Sequence, residues 1–134
     1  MKAVYDTCVY IDFLRRGMYE DLFYERTVFR FLCPVVAMEL RAGASNAQKI
    51  RDLDHLFRPY SNANRIISMS ANMYLKAGEI IQKINRSFGG ISYGLSHDVL
   101  IAISATSIGA RLYTSNARDF EKIGKFLPVD LHLV

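Results

Sequence analysis

The sequence predicts a single α/β domain in which helices cover a mostly parallel β-sheet. The chain has 134 residues, a length that suits one compact domain over residues 1–134 and leaves little room for a second. Hydrophobic residues make up 51% and charged residues 22% of the chain, so it can bury a core and is not of disordered composition. Strand-like and helix-like segments alternate along the chain, which is typical of parallel sheets.

The sequence of the N-terminal third of the chain predicts two strands and two helices. A β-prone run at residues 2–5 is the first strand, and a short helix over residues 9–17 ends at a glycine. A second helix is expected over about residues 20–30. Residues 31–37 are continuously apolar and predict a strand buried on both faces, with Pro34 near its start.

The rest of the chain combines longer helices with short strands. Residues 38–44 predict the start of a helix that continues after residue 46, with one apolar face formed by Ile50, Leu53, Leu56 and Phe57. The clearest helix covers about residues 70–86, where one apolar stripe contains Met73, Tyr74, Ala77, Ile80, Ile81 and Ile84. The remaining expected elements are a strand at 66–69, a glycine-containing loop at 89–94, a helix at about 96–108 ended by Gly109, a strand at 111–115, a helix at 118–123 and a strand at 129–133.

Charge, hydropathy and cysteine content argue against a membrane protein, a disulfide scaffold and a zinc protein. The 17 Lys and Arg residues against 13 Asp and Glu give a net charge of +4, which is compatible with a polyanionic partner. No apolar run approaches the roughly 18–20 residues needed to span a membrane, and acids at positions 6 and 12 interrupt any signal-peptide core. We therefore expect a cytoplasmic protein with no membrane contact. Two cysteines, Cys8 and Cys33, are too few for a disulfide scaffold or a zinc site.

Acidic and amide side chains follow the predicted strands where a ligand site is expected. In open parallel sheets, ligands bind beyond the carboxyl ends of the strands. Asp6 directly follows the first strand, and Glu39 lies in the helix after the second. Asn116 and Asp119 follow the strand that ends at residue 115.

Asp98 lies near the start of the long C-terminal helix, two residues after Ser96, the expected N-cap. Its helical neighbours Ile101, Ala102 and Ala105 place it on the apolar, inward face. A carboxylate there is costly unless it is paired or binds a cation. The structural alternative is an ordinary acid at a helix N-terminus, and the other acids have similar alternatives as turn or capping residues.

Taken together, these oxygen-ligand side chains converge on one sheet edge without interleaved basic residues. Crowded carboxylates repel each other, so the natural neutraliser is a hard divalent cation, Mg²⁺ or Mn²⁺. A few carboxylates around such a cation are the equipment of a metal-assisted phosphodiesterase, in which metal-bound water is the nucleophile.

Four motifs in order resemble the PIN-domain family, and specifically the VapC-type toxins of type II toxin–antitoxin pairs. They are residues 4–12 (VYDTCVYID, similar to DTNVLID), 35–43 (VVAMELRAG, similar to ELxxG), 97–102 (HDVLIA, similar to DxLIAA) and 112–120 (LYTSNARDF, similar to LxTxNxxDF). The resemblance covers nearly the whole chain. It implies a PIN-like three-layer α/β/α sandwich with a mostly parallel sheet of about 4–5 strands.

The resemblance also implies roles for individual residues. Asp6, Glu39 and Asp98 would be the core metal ligands, and the fourth position is divided between Asn116, ranked nearer the metal, and Asp119. The implied catalytic residues are Asp6, Glu39, Asp98 and Asn116. The hydroxyls of Thr7 and Thr114 would serve the metal shell or the scissile phosphate. Cys8 departs from the family, which usually has Asn there, and puts a weak hydrogen-bonding group beside Asp6.

The implied activity is endoribonucleolytic cleavage that yields a 5′-phosphate and a 3′-hydroxyl. The implied partners are an RNA substrate, a cognate antitoxin that blocks the acidic pocket, and a second copy of the chain in a homodimer. Basic residues outside the site can hold the RNA backbone, and the nearest in sequence are Arg15, Arg16, Arg41, Arg86 and Arg118. Of these, Arg15 and Arg118 are the ones we assign to substrate binding.

Other classes of protein fit less well or stay open. The chain has no GxxxxGK[ST] or GxGxxG segment for nucleotide binding. Asp6 lacks the second Asp, two positions on, of the aspartyl-phosphate phosphatases. His55, His97 and His132 are scattered, and none is expected to be catalytic. A catalytically weak, antitoxin-binding regulatory module and a PIN nuclease of RNA processing without an antitoxin remain open.

Overall fold

The structure is a computed structural model that describes residues 1–89 and 93–134. Four strands form one all-parallel sheet in the order β2–β1–β3–β4. Their bounds are β1 Lys2–Tyr5, β2 Phe29–Phe31, β3 Arg111–Thr114 and β4 Leu131–Leu133. The helices of the described residues are α1 Thr7–Arg16, α2 Glu20–Tyr24, α3 Pro34–Ala42, α4 Ala47–Asn62, α5 Ala71–Phe88, α6 Leu95–Ser107 and α7 Ala117–Gly124. Residues 90–92 of the loop expected at 89–94 lie outside the described residues.

The central strand β1 lies between β2 and β3. Val4 pairs with Phe31 on one side and with Leu112 on the other. Because crossovers between parallel strands are right-handed, the connections to β2 and to β3 cover opposite faces of the sheet. This layering confirms the expected α/β/α class. The direction in which successive strands are added to the sheet reverses between β1 and β3. Open α/β sheets bind ligands at the carboxyl ends of the strands at such a reversal.

The core fills the space between the sheet and its helices. Val4 and Leu112 of the sheet, Ile101 of α6 and Phe120 of α7 are all 0% exposed. Helix α6 is apolar on most sides, with seven buried residues, which is expected for a helix covered by other helices as well as by the sheet. This burial holds the first turns of α6 and α7 rigidly beside the sheet.

Local chemistry sets both ends of α1. Asp6 is the N-cap, and its Oδ1 accepts the Thr7 N–H at 2.8 Å. At the other end, Gly17 has a φ of 64° and donates its N–H to the Phe13 carbonyl at 3.0 Å. A side chain is strained at that φ, so glycine is the natural residue there. The helix expected at residues 9–17 is confirmed and begins two residues earlier.

Two predictions for the following segment are wrong. The helix expected to reach residue 30 ends at Tyr24, and Phe29–Phe31 form β2 instead. Residues 34–37, expected in a strand, form the first turn of α3, with Pro34 at its start. Proline suits that position because its missing N–H would have no helical partner there. A short apolar run does not distinguish a buried strand from a buried helix by periodicity.

The C-terminal elements match the expectations with three differences. Of residues 66–69, Ile66 alone pairs, in a single bridge with Leu32. Helix α6 begins at Leu95 after Gly94, so Ser96 is not its N-cap. In α5, whose N-cap is Ser70, Tyr74 of the apolar stripe is 54% exposed. No helix within the described ranges is long and apolar enough to cross a membrane.

Candidate functional site

Asp6 is the buried centre of the site at the end of β1. It is 5% exposed, and its own N–H donates to the Tyr113 carbonyl at 2.9 Å, which extends the β1–β3 pairing. Its Oδ2 accepts the Thr114 hydroxyl at 2.7 Å and lies 3.5 Å from the Cys8 sulfur. Both carboxylate oxygens therefore have donors, which fix the orientation of the carboxylate.

Thr114 ends β3 and is 0% exposed. Besides donating to Asp6, its hydroxyl accepts the backbone N–H of Asn116 at 3.0 Å. The Cys8 sulfur lies 3.6 Å from the same hydroxyl. Thr114 thus connects the end of β1 to the turn that leads into α7.

Glu39 reaches the site from α3. The Thr7 hydroxyl donates to its Oε1 at 2.9 Å, and Nδ1 of His97 lies 3.5 Å from its Oε2. The side chains of Glu39 and His97 are 30% and 42% exposed, so this pair forms an open side of the site. This contact of His97 with Glu39 is not encoded in the spacing of the two residues along the chain. Asp98, the neighbour of His97, was the only signal, because adjacent helical residues point about 100° apart and so reach different parts of one site.

Asn116 joins the remaining two acids. Its Nδ2 lies 3.3 Å from Oδ2 of Asp98 and 3.3 Å from Oδ2 of Asp119. The amide therefore donates between two carboxylates that would otherwise repel each other. The structure brings all five residues expected in the site to one sheet edge.

Electrostatics link the four acids Asp6, Glu39, Asp98 and Asp119, which we call the acidic cluster. Burial, followed by the charges of Asp6, Asp119 and Glu39, raises the pKa of Asp98 to about 7. Burial also raises the pKa of Asp6, although its hydrogen bonds from Thr114, Thr7 and Cys8 oppose the shift. Within residues 1–89 and 93–134, no Lys or Arg lies within 4.0 Å of any of these acids.

The described residues do not contain three His, Cys, Asp or Glu side chains arranged as a ready metal-binding group. The carboxylates accept hydrogen bonds from protein donors instead: Asn116 lies between Asp98 and Asp119, and the Thr114 and Thr7 hydroxyls donate to Asp6 and Glu39. The two cysteines are free, as expected, and burial raises the pKa of both thiols. Cys8 lies beside Asp6, as its sequence position implied.

The basic residues expected at the site are placed around it. Arg15 lines a cavity of 250 Å³ between α1, α3 and α4 together with Glu39. Arg118 is exposed on α7, next to Asp119 in sequence. Arg41 and Arg86 are exposed, and Arg16 lies 4.0 Å from Asp12.

Comparisons of the sequence with family models and with curated proteins found no match. Solved structures do match over almost the whole chain. VapBC-1 from nontypeable Haemophilus influenzae has a chain with a TM-score of 0.74 and 20% identity, covering 99% of this chain and 98% of its own. VapBC2 from Rickettsia felis, bound to a DNA fragment from its promoter, has a chain with a TM-score of 0.70 and 22% identity. The match covers 100% of this chain and 99% of that one. DNA-bound VapBC from Salmonella typhimurium has a chain with a TM-score of 0.72 and 18% identity, and the match covers 98% of this chain and 97% of that one.

The chain has a PIN-like fold. At these identities the likeness concerns the fold alone, and it confirms the PIN-like fold that the motif resemblance implied. In this fold, the motifs at residues 4–12, 35–43 and 97–102 and the turn at residues 114–116 meet at the carboxyl ends of β1 and β3. The expected sheet of about 4–5 strands is realised with four strands in the described residues.

Proposed function

We propose that this chain is a VapC-type toxin that cleaves RNA with a divalent metal ion, Mg²⁺ or Mn²⁺, in the cytoplasm. The observation that carries the proposal is the acidic cluster, in which four carboxylates influence one another and no Lys or Arg lies within 4.0 Å in the described part of the chain. Such a cluster is costly unless a cation neutralises it. The fold shared with the VapBC complexes supports the same conclusion.

The chemistry of the donor set suits a hard divalent cation. Asp6, Glu39 and Asp98 would hold it with carboxylate oxygens, and Asn116 or Asp119 would supply the fourth position. Oxygen donors with few positive neighbours are what Mg²⁺ and Mn²⁺ prefer. When bound, such an ion lowers the pKa of a water molecule and stabilises charge on the attacked phosphate.

The chain's own residues prepare the site for this ion. Thr114 and the Thr7 backbone hold the carboxylate of Asp6, while the Thr7 hydroxyl holds Glu39. These bonds fix two ligands before any cation arrives, so less conformational entropy is lost on binding. The Thr7 hydroxyl lies at a partly exposed position and would contact a bound phosphate as well. The substrate role expected for Thr114 does not fit the structure, because this side chain is 0% exposed and its hydroxyl holds Asp6 and the Asn116 N–H.

Basic residues outside the cluster would hold the RNA backbone. Arg15 lines the cavity that opens beside Glu39, and Arg118 lies on the first turn of α7. The net charge of +4 favours a polyanion overall. The acidic cluster would then repel phosphates except where a cation bridges them, which directs the strand to the metal.

The partners proposed from the resemblance are a cognate antitoxin and a second copy of the chain. The matched structures are VapBC complexes, two of them bound to DNA. An antitoxin side chain that is basic would satisfy the acidic cluster in the way that a cation does, and would block the site at the same time.

One observation favours the alternative of a weakly catalytic, antitoxin-binding module. Asn116 takes the place of a possible fifth carboxylate and already bridges Asp98 and Asp119. A site with this lower charge binds a cation less strongly. A PIN nuclease of RNA processing without an antitoxin would share the site and differ in lacking an adjacent antitoxin gene.

Cleavage of labelled total RNA by purified, antitoxin-free protein tests the proposal. Wild type, Asp98→Asn and the control Asp54→Asn are compared with Mg²⁺, with Mn²⁺ and with EDTA. Asp54 is exposed on α4 and unpaired within the described residues, so its substitution changes the net charge equally. We expect discrete cuts by wild type and Asp54→Asn that need metal, and at least about 100-fold less cleavage by Asp98→Asn. Equal inactivity of all three proteins with both metals favours the binding module.

A further inference from the structure

A second cavity lies away from the acidic cluster. It has a volume of 310 Å³ and opens between α1, α2, β2 and α4. None of its lining residues belongs to the cluster or contacts it through a hydrogen bond in the described ranges. The volume falls at the lower end of the range for small-molecule sites, about 300–1,000 Å³.

One wall of this cavity is aromatic. The rings of Phe13 and Phe23 are stacked, with centroids 3.9 Å apart and an interplanar angle of 17°. Tyr24 stands edge-on to Phe13 at 6.3 Å, and its side chain is 70% exposed. Phe23 is buried, so Tyr24 and the outer part of Phe13 are the rings that a ligand can reach. Such rings bind flat aromatic groups by stacking, with little preference among bases.

The other wall carries positive charge. Nη1 of Arg30 donates to the carbonyls of Leu22 and Glu25, at 3.2 Å each. These two bonds, together with contacts to the Tyr5 and Tyr60 hydroxyls, hold the guanidinium in one orientation. Arg65 lies over the ring of Phe29, 5.0 Å from its centroid. The two arginines and His55 line the same cavity.

These charges have no acidic partner. No carboxylate of residues 1–89 and 93–134 lies within 4.0 Å of Arg30 or Arg65. Arg30 also forms hydrogen bonds with the hydroxyls of Tyr5 and Tyr60. Burial raises the pKa of Tyr5 to about 12 and also raises the pKa of Tyr60, so both hydroxyls stay neutral and leave the charge of Arg30 uncompensated.

We propose that this cavity binds a nucleotide, with its base against Tyr24 and Phe13 and its phosphate on Arg30 and Arg65. An aromatic wall facing a fixed guanidinium that has no carboxylate partner in the described residues matches a ligand that combines a flat ring with an anion. The nucleotide is either free in solution or the 5′-phosphorylated end of an RNA strand. The proposal does not depend on nuclease activity, because the cavity and the acidic cluster share no residue.

Chemical-shift perturbation of the ¹⁵N-labelled wild-type protein measures this binding in EDTA, where metal-dependent cleavage cannot interfere. The probes are 5′-AMP, adenosine and ribose 5-phosphate. We expect 5′-AMP to bind at least about tenfold more tightly than either fragment, because each lacks one half of the recognised chemistry. Absence of saturable 5′-AMP binding, or equal affinity for 5′-AMP and adenosine, overturns the proposal.

Variants assign the binding to the cavity. Arg65→Gln and Tyr24→Ala remove one contact each at partly or largely exposed positions, so the fold is retained. Arg58→Gln is the matched control, since Arg58 is exposed on α4 and does not line the cavity. We expect Arg65→Gln to weaken 5′-AMP binding about tenfold and to leave adenosine binding unchanged. Equal affinities of the Arg65→Gln and Arg58→Gln proteins overturn the proposal.

A tetranucleotide with or without a 5′-phosphate distinguishes the two sources. Tighter binding of the phosphorylated strand than of 5′-AMP assigns the site to an RNA end, and equal binding assigns it to a free nucleotide. If a purified partner protein shifts the cavity signals while 5′-AMP does not, the cavity is a protein interface and the proposal is wrong. Loss of RNA cleavage in Asp98→Asn with retained 5′-AMP binding separates this site from the proposed nuclease.

Discussion

The Thr114 hydroxyl donates to Oδ2 of Asp6 at 2.7 Å, across 108 positions of sequence. This bond joins the carboxyl ends of β3 and β1 at the point where the strand order reverses. Both residues are buried, at 0% and 5% exposure, so the bond exists in an environment where an unpaired carboxylate oxygen is costly. The position of the carboxylate is therefore set by the pairing of the two strands.

Thr114→Val removes this hydroxyl while keeping a branched side chain. The Asp6 carboxylate loses a donor and the Asn116 N–H loses its acceptor, so we expect the free energy of unfolding to fall by about 1–3 kcal/mol. Urea denaturation measures the change. Thr106→Val is the control, because the Thr106 hydroxyl donates to the Ala102 carbonyl within its own helix, and we expect a change below about 0.5 kcal/mol. Equal midpoints for the two variants would show that the Thr114 bond contributes no more than a local helix bond.

The acidic cluster makes the stability of the metal-free protein depend on pH. The pKa of Asp98 is about 7 in the folded chain against an ordinary value of 3.8, so between these values the folded state binds the proton more strongly than the unfolded state. The free energy of unfolding in EDTA should therefore fall as the pH rises from about 4 to 7. Asp98→Asn removes this contribution. Denaturation of both proteins across this range should show a steeper decline for wild type, and parallel curves would contradict the assignment.

Asn116→Asp adds a carboxylate at the fourth ligand position. It replaces the amide donor 3.3 Å from both Asp98 and Asp119, so in EDTA the added repulsion should lower the Tm. The same charge should tighten Mn²⁺ binding, and saturating Mn²⁺ should reverse the loss of stability. Thermal unfolding with and without Mn²⁺ measures both effects. Asn72→Asp, at the exposed start of α5, is expected to leave Mn²⁺ affinity unchanged; a gain of affinity there equal to that of Asn116→Asp would refute the local explanation.

A buried pair of hydroxyls stabilises the side of the fold near β2. The hydroxyl oxygens of Tyr10 and Tyr60 are 2.9 Å apart, and the side chain of Tyr10 is fully buried. Tyr10→Phe leaves the Tyr60 hydroxyl without this partner, at an expected cost of about 1–2 kcal/mol. The double variant Tyr10→Phe/Tyr60→Phe should cost less than the sum of the single variants, since neither ring then has an unmatched hydroxyl. Additive losses in denaturant titrations would argue against coupling of the pair.

Much of this architecture could be predicted because its signals are local. The glycine that ends α1 and the apolar stripe of α5 each depend on neighbours within one or two turns. Acids that directly follow strands are also local features, and the rule that parallel strands present their carboxyl ends to one edge brings them together. This is why Asp6, Glu39, Asp98, Asn116 and Asp119 could be named before the fold was known.

The remaining features depend on contacts that sequence spacing does not encode. The apolar run at residues 31–37 divides between β2 and α3 because the pairing of β2 with β1 ends at Phe31. His97 meets Glu39 only because α6 and α3 pack together at the site. The Thr114 bond to Asp6 requires the register that pairs Tyr5 with Tyr113. Each of these depends on tertiary packing, which overrides local preference.

Mn²⁺ binding to the acidic cluster, measured by electron paramagnetic resonance of free Mn²⁺, tests most directly whether this site is a divalent metal centre. Wild type, Asp98→Asn and Asp54→Asn are titrated at one pH without RNA, so the result does not depend on finding the substrate. We predict saturable binding by wild type and Asp54→Asn, and affinity at least about 100-fold lower for Asp98→Asn. Equal binding by all three proteins, or no saturable binding by wild type, would contradict the account of this site as a divalent metal centre.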